Sequence, residues 1–163
     1  MNAKARRKRM RLEHHDYAMP GAYYVTACTI NRRCLFGEAV EGVMLLNDFG
    51  NEVQAAWKDL PRHICRLTLD QFVVMPNHIH GILILGDGTP PLGEAVRAFK
   101  TFSAHRVNLR RGSQGASLWQ RGFYDHVVRG EADLARIREY IENNPAQWAL
   151  DEENPNHAAR QKS

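Results

Sequence analysis

The chain has 163 residues, of which 44% are hydrophobic and 25% are charged, values typical of one globular domain with its own core. No apolar run approaches the ~20 residues of a membrane-spanning helix, and no apolar segment of a secretory signal follows the basic N-terminus. Cys28, Cys34 and Cys65 are odd in number and show no CxxC spacing, which predicts free thiols in a reducing compartment. We therefore expect a cytoplasmic protein. Its net charge of +4 and pI near 9.1 favour a polyanionic partner.

Much of the positive charge lies at the N-terminus, at Lys4, Arg6, Arg7, Lys8, Arg9 and Arg11. We predict that residues 1–20 form a basic flexible arm. It either contacts phosphate groups or is a solvated tail that only aids solubility. Residues 151–163 are acidic and polar and are predicted to form a C-terminal tail, which leaves residues 21–150 as the folded domain.

Taken in chain order, the first predicted elements are a strand and a helix. Residues 23–30 are rich in aromatic and β-branched side chains and predict a strand. A loop through Gly37 and Gly42 follows. Asn47 or Asp48 can cap a helix that Pro61 is expected to end.

The remaining elements alternate in the same way. Residues 67–75 predict a second strand, and the turn at 76–77 leads into a third strand of apolar character on both faces. A helical pattern runs from Leu92 to Arg110, and residues 118–128 predict a fourth strand. The last helix begins near Glu131 and is interrupted by Pro145, after which Trp148 and Leu150 are expected to pack back.

This order predicts an α+β fold of the ferredoxin-like type. The pattern βαββαβ forms one antiparallel sheet, and one additional C-terminal helix carries Tyr140. The first and third strands are central in that topology, which agrees with the two-sided apolar character of the third strand.

The third strand begins with His78-Ile79-His80. Alternate side chains of a strand share a face, so the two imidazoles are expected to lie side by side and able to grip one metal ion. An isolated HxH pattern is also compatible with one buried structural histidine and one surface histidine. On the last helix, Tyr140 and Asn144 are four residues apart and share a face.

Three segments together resemble one known family. HIH at 78–80, LWQRGFYDHVVR at 118–129 and YIENNP at 140–145 resemble the REP-associated tyrosine transposases, members of the HUH single-tyrosine family that includes insertion-sequence transposases. The resemblance covers about residues 15–150. It implies that His78, His80 and Asn144 bind a divalent metal, Mg²⁺ or Mn²⁺, and that Tyr140 cuts single-stranded DNA through a 5′-phosphotyrosine intermediate.

The resemblance also implies a substrate and leaves the assembly open. Expected partners are single-stranded DNA and hairpin-forming REP sequences, with no membrane. The chain is expected to be a monomer, as REP-associated members are, or a homodimer, as are insertion-sequence relatives that exchange their tyrosine helices. Because the three implied ligands are neutral, we expect the protein alone to hold Mg²⁺ poorly.

Basic and aromatic side chains supply further candidates for DNA contact. The basic candidates are Arg6, Arg7, Lys8, Arg9, Arg97, Lys100 and Arg106, and the aromatic ones are Trp119, Phe123 and Tyr124. His126 is a candidate for a role behind the metal ligands. The alternative function is a non-catalytic nucleic-acid-binding module whose histidines are structural.

Overall fold

A computed structural model describes residues 16–157, so most of the predicted basic arm and the end of the predicted tail lie outside the described residues. The elements are β1 (Gly21–Cys28), β2 (Gly37–Val40), β3 (Val43–Leu46), α1 (Asp48–His63), β4 (Leu67–Val74), β5 (His78–Leu85), α2 (Leu92–Arg111), β6 (Tyr124–Val127) and α3 (Gly130–Asn143). Short 3-10 helices span Ile30–Arg32 and Pro145–Leu150. Among the described residues, no helix combines the length and apolarity that crossing a membrane requires.

The main sheet has the order β4-β5-β1-β6, and every neighbouring pair is antiparallel. Two strands, β1 and β5, therefore occupy the centre. This arrangement confirms the predicted ferredoxin-like sheet and the central place of the histidine strand.

The two faces of the sheet carry cores of different size. Helices α1 and α2 pack together on one face, over a large cluster that includes Val25, Ile79 and Leu83. Helix α3 covers the other face, over a small cluster of Tyr24, Ile82, Ile137 and Ile141. Because side chains alternate along β5, His78 and His80 share the face of Ile82 and lie beneath α3.

Gly81 permits close packing behind the histidines. A Cβ atom at this position would lie 2.4 Å from Cζ2 of Trp57 on the α1 face. The Trp57 ring in turn stacks on Phe72, with ring centroids 4.4 Å apart. The absence of a side chain at Gly81 therefore lets the indole lie flat against the histidine strand.

A bulge in β4 fixes the position of α3. The pairing with β5 shifts between Leu69 and Phe72, so Asp70 and Gln71 together stand opposite one residue of β5. Asp70 accepts two hydrogen bonds from the Arg138 guanidinium of α3, at 2.8 and 2.7 Å. These bonds lower the pKa of Asp70 below its usual value.

The predicted loop through Gly37 and Gly42 is instead a two-stranded hairpin, β2–β3. Its turn residues, Glu41 and Gly42, have φ angles of 50° and 78°. Positive φ at both positions matches the tight turns that join antiparallel strands.

Three other predictions need correction. The fourth strand spans only Tyr124–Val127, because the chain turns at Gly122 with a φ of 72° after Trp119 forms an isolated bridge with Thr29. Helix α1 continues past Pro61 to His63, because a proline in the last turn removes one hydrogen bond without ending the helix. Leu150 is 70% exposed and does not pack back.

Asn47 does cap α1, as one of the two predicted alternatives, by accepting a hydrogen bond from the Gly50 N–H at 2.9 Å. Cys34 and Cys65 are exposed thiols, and no disulfide joins any of the three cysteines, as predicted.

Candidate active site

A cleft of about 400 Å³ opens between α3 and the sheet. Its walls come from β1, β5, β6, α3 and the segment that follows the last helix. It is lined by Tyr24, Thr26, His80, Tyr124, His126, Arg136, Ile137, Tyr140, Asp151 and Glu153.

The two histidines of β5 face each other at the floor of this region. Both are buried, and their Nε2 atoms are 3.0 Å apart. Neighbouring ligand atoms of an octahedral ion with bonds of about 2.1 Å also lie about 3.0 Å apart. The spacing of His78 and His80 therefore suits two ligands of one metal ion.

Asn77 orients the His78 ring. Its side-chain Nδ2 donates to the backbone carbonyls of Arg32 and Glu153, at 3.1 and 2.7 Å, so its Oδ1 faces the imidazole. That oxygen accepts from His78 Nδ1 at 2.8 Å. A proton held on Nδ1 leaves the lone pair of Nε2 for a metal, as second-shell partners of metal-binding histidines do.

Two hydroxyl groups of β1 orient the His80 ring. Its Nδ1 lies 2.8 Å from the Tyr24 hydroxyl and 2.7 Å from Thr26 Oγ1. The strand register creates this contact, because Thr26 stands directly opposite His80 across β1 and β5. With Nδ1 occupied, Nε2 is the atom turned towards His78.

Asp151 is a carboxylate that the sequence analysis did not include in the site. Its Oδ2 lies 3.6 Å from His78 Nε2, and His78, His80 and Asp151 form a group able to hold a metal ion. A negative charge therefore adjoins the histidines, which the expected set of neutral ligands did not include. Trp148 does pack back as predicted, with its ring 6.0 Å from that of His78.

The segment that carries Asp151 is held in place by its own contacts. Asn154 Nδ2 donates to the Trp148 carbonyl at 3.0 Å. The Glu153 carboxylate pairs with Arg32 at 3.1 Å. Residues 151–154, assigned from sequence to a polar tail, therefore form one wall of the site.

Asn144 ends α3 one turn beyond Tyr140 and is buried. Its Oδ1 is buried and accepts no hydrogen bond among residues 16–157. A buried amide oxygen without a donor is costly unless a ligand supplies the missing contact. The donor atoms of His78, His80 and Asp151 all lie within 4.8 Å of one another, and two imidazoles with a carboxylate suit a divalent cation.

Tyr140 stands above the histidines at the mouth of the cleft. Its ring lies 5.5 Å from that of His80 and 6.4 Å from that of Tyr24, in edge-to-face arrangements. The side chain is 52% exposed, whereas His80 is 5% exposed. Tyr140 and His80 line the same cleft, so a molecule bound there lies next to both side chains.

A comparison with protein families decides the identity of this arrangement. The model of the IS200-like transposases matches residues 22–144. The chain belongs to this family. Its members are enzymes that cut and rejoin DNA, which confirms the predicted enzyme class, and the match includes Tyr140, His78 and His80.

Individual relatives of this transposase support the assignment. An uncharacterized protein of Haemophilus influenzae is 35% identical over 90% of this chain and 92% of its own length. A REP-associated tyrosine transposase of Escherichia coli K12 is 29% identical over 47% of this chain and 43% of its own length. These matches confirm the resemblance that the three motifs indicated.

The fold is shared with a solved transposase structure. A REP-associated tyrosine transposase bound to a REP hairpin superposes with a TM-score of 0.62, at 23% identity, covering 84% of this chain and 74% of that one. At this identity the likeness concerns the fold.

Within this transposase fold, the basic residues predicted on α2 do not reach the cleft. Lys100 donates to the backbone carbonyls of Gln120 and Gly122, and Arg106 pairs with Asp59 and Glu52 of α1. These residues belong to the helix layer on the opposite face of the sheet. Arg97 is exposed on the same helix, and Arg6, Arg7, Lys8 and Arg9 lie outside the described residues.

The predicted aromatic contacts divide in the same way. Trp119 is buried in the α1–α2 core and donates its Nε1–H to Ser103 Oγ at 2.9 Å, so its ring is not available for stacking on a base. Phe123 packs against that same core. Tyr124 lines the cleft, as does Tyr24, which the sequence analysis assigned only to a strand.

Proposed function

We propose that this transposase is a metal-dependent endonuclease and strand transferase for single-stranded DNA, with Tyr140 as the nucleophile. The observation that carries the proposal is the exposed Tyr140 ring 5.5 Å from that of His80, above a buried histidine pair. A tyrosine that served only to pack α3 would not need to stand over two oriented imidazoles.

The reaction exchanges one phosphodiester for another. The Tyr140 hydroxyl loses its proton as its oxygen bonds to phosphorus, the bond from phosphorus to the 3′ oxygen breaks, and the departing oxygen takes up a proton as a 3′-hydroxyl, so no net proton is gained or lost. A later attack by a 3′-hydroxyl on the phosphotyrosine reverses these changes. The energy of the original bond is conserved, so rejoining requires no ATP.

The residues proposed to hold the divalent metal are His78, His80, Asp151 and Asn144. Bound there, the metal would neutralise the scissile phosphate and polarise it for attack. The protein's own contribution is to aim both Nε2 atoms, through Asn77 on one ring and Thr26 with Tyr24 on the other. Mg²⁺ and Mn²⁺ are the proposed ions, because the site mixes oxygen and imidazole ligands.

The proposed substrate is a hairpin-forming REP-type sequence with an adjoining single-stranded segment. Support comes from the Escherichia coli relative, a REP-associated tyrosine transposase, and from the fold shared with a transposase bound to a REP hairpin. The cleft adds support because Tyr24 and Tyr124 present aromatic rings on which unpaired bases can stack. The basic residues 4–11 are proposed to contact backbone phosphates.

The test is a covalent adduct with a single-stranded oligonucleotide that carries an imperfect palindrome. The wild-type protein is expected to form, with Mg²⁺ or Mn²⁺, an adduct that survives denaturing gel electrophoresis. Tyr140→Phe is expected to lose it entirely while retaining its fold and hairpin affinity, because only the hydroxyl is removed.

Tyr124→Phe is the matched control. Its hydroxyl lines the same cleft and makes no hydrogen bond among the described residues, so the variant should form the adduct at a rate close to that of the wild type. An adduct in the Tyr140→Phe variant would show that another residue is the nucleophile. Tight DNA binding by the wild type without any adduct would instead support the non-catalytic binding module.

A further inference from the structure

The cleft contains a second charged cluster, on the other side of β1 from the histidines. It consists of His126 on β6 with Asp133 and Arg136 on α3, and both His126 and Arg136 line the cleft that Tyr140 occupies. The proposed reaction assigns no role to these residues. On sequence alone, His126 is a candidate for a role behind the metal ligands.

Asp133 joins the members of this cluster. Its Oδ2 accepts from His126 Nε2 at 2.9 Å and from the Arg129 backbone N–H at 2.8 Å, and its Oδ1 accepts from the Arg136 guanidinium. The Arg129 N–H, followed by His126 and Arg136, holds the pKa of Asp133 well below its usual range. The carboxylate is therefore a fixed, ionised anchor at neutral pH.

Arg136 retains donors for a ligand. A guanidinium carries five N–H groups, and the contact with Asp133 engages only Nη2. The Arg136 side chain is 70% exposed, so its remaining donors are accessible from the cleft. Planar forks of this kind are suited to the paired oxygens of a phosphate group.

The spacing along α3 relates this donor group to the reaction centre. Asp133, Arg136, Tyr140 and Asn144 follow one another at helical spacing and share one face. Arg136 precedes Tyr140 by one turn, about 6 Å along the axis, and Asn144 follows it by one turn. A strand lying along this face with a phosphate at Tyr140 brings a neighbouring phosphate within reach of the guanidinium.

We propose that Arg136 binds the phosphate next to the scissile one on the cleaved strand, and that Asp133 and His126 position its guanidinium. The inference rests on the proposed role of Tyr140 and names a contact that sets the register of the strand. His126 acts only through Asp133 and does not touch DNA.

The test pairs a change in the protein with a change in the DNA. All proteins carry Tyr140→Phe so that binding is measured without cleavage. Oligonucleotides carry a single neutral methylphosphonate on one side or the other of the scissile phosphate. We expect the modification to weaken binding about fivefold at one of these positions, and Arg136→Gln to weaken binding of unmodified DNA by a similar factor. Combined, the two changes should weaken binding no further, because each removes the same contact.

Arg62→Gln is the control, since it removes one positive charge from an exposed end of α1, away from the cleft. This variant should keep the full fivefold penalty of the methylphosphonate. If the methylphosphonate weakens DNA binding by Arg136→Gln as much as it weakens binding by the parent protein, on both sides of the scissile phosphate, the proposal is overturned. If wild-type protein forms no covalent adduct but the penalties fail to multiply, the proposed chemistry is wrong and the strand contact stands.

Variants of His126 test the positioning role. His126→Ala removes the bond to Asp133 and should reduce the methylphosphonate penalty, whereas His126→Gln can still donate to Asp133 and should restore it. Circular dichroism checks that each variant is folded. If Arg136→Gln does not fold, His126→Ala takes its place in the experiment that combines a protein change with a methylphosphonate. Equal penalties in the alanine and wild-type backgrounds would show that His126 has no influence on the contact.

Discussion

At the scale of single residues, His78 and His80 are oriented by different parts of the chain. His78 depends on Asn77, which is tied to Arg32 and Glu153 at distant points of the sequence. His80 Nδ1 is contacted by Tyr24 and Thr26 on the neighbouring strand β1. The two proposed ligands therefore differ in what orients their Nδ1 atoms, since the contact at His78 involves the C-terminal segment and the contacts at His80 come from the sheet.

Asp151 supports a prediction about metal affinity without DNA. We expect the wild-type protein to bind Mn²⁺ and Mg²⁺ on its own, and Asp151→Asn to bind them about tenfold more weakly, because a carboxylate at 3.6 Å from His78 Nε2 is replaced by a neutral amide. Isothermal titration calorimetry on the apo protein measures this difference.

Glu142→Gln is the control for that measurement, since Glu142 is exposed on α3 and its loss changes net charge equally. Its metal affinity should match that of the wild type. Equal affinities for Asp151→Asn and the wild type would remove Asp151 from the ligand set and return the site to neutral ligands.

Asp151 shows why part of the site could not be predicted from the sequence. The spacing of His78 and His80 and of Tyr140 and Asn144 lies within single elements, so strand and helix geometry alone predict which side chains share a face. Asp151 reaches His78 only because the chain turns through the short helix at Pro145–Leu150. In the sequence it is one acidic residue among several.

At the scale of elements, α3 is held less firmly than α1 and α2. Its apolar contact is the small cluster around Ile137 and Ile141, and a bidentate ion pair between Arg138 and Asp70 ties it to the β4 bulge. Since α3 carries Tyr140, this ion pair also stabilises the position of the proposed nucleophile.

The ion pair predicts a dependence of stability on acidity. The pKa of Asp70 is lowered in the folded protein, chiefly by its hydrogen bonds to Arg138. The contribution of ionised Asp70 to the stability of the fold is therefore complete above the pKa of the unfolded chain, about 3.9, and is lost as the pH falls through the lower pKa of the folded protein. Because Arg138 is 46% exposed, we expect the ion pair to contribute less than about 1 kcal/mol to the free energy of unfolding.

Urea unfolding between neutral pH and about pH 2 measures this effect. Asp70→Asn should lose less stability on acidification than the wild type. Asp87 is exposed, and its carboxylate makes no hydrogen bond or ion pair within residues 16–157, so Asp87→Asn should lose as much stability on acidification as the wild type. Identical pH profiles for all three proteins would contradict the assigned role of the pair.

Gly81 provides a prediction about the histidine strand. Gly81→Ala should lower the free energy of unfolding by about 3 kcal/mol, because its Cβ would lie 2.4 Å from the buried Trp57 ring. Gly93→Ala is the matched control in α2, where a Cβ meets no atom within 4 Å, and it should be neutral or slightly stabilising. Equal stabilities of the two variants by urea unfolding would show that Trp57 moves aside without cost.

The elements differ in how well the sequence predicts them. Strand β5 is an apolar run after a clear turn, helices α2 and α3 have long periodic patterns, and all three occur as predicted. The β2–β3 hairpin has strands of four residues each, and its exposed Val43 and Leu45 give no recognisable core pattern. Residues 118–123 have a strand-like composition but turn at Gly122, where the tertiary contact with Lys100 holds the loop.

At the scale of the whole molecule, one chain brings together every part of the proposed site. Tyr140 lies over His80 of the same chain, with ring centroids 5.5 Å apart. An exchange of tyrosine helices between two chains is therefore not needed to complete the site, and we expect the protein to act as a monomer.

Mixing two inactive variants tests this expectation. Tyr140→Phe keeps the histidines and His80→Ala keeps the tyrosine, so helix exchange in a mixed dimer would rebuild one intact site. We expect no adduct from the mixture. For the wild-type protein alone, we expect a rate of adduct formation per chain that does not depend on protein concentration. Recovery of adduct in the mixture would establish that the site forms between chains.

The placement of Tyr140 over its own histidines also bears on how damaged gene copies behave. When each polypeptide forms its own complete site, an inactive chain expressed beside an active one competes with it for DNA but does not inactivate it. Loss-of-function alleles of this enzyme should then be recessive and should not complement one another, whereas in a helix-exchanging dimer a tyrosine allele and a histidine allele would restore activity together. Inactive copies could thus accumulate in a genome without silencing the active ones.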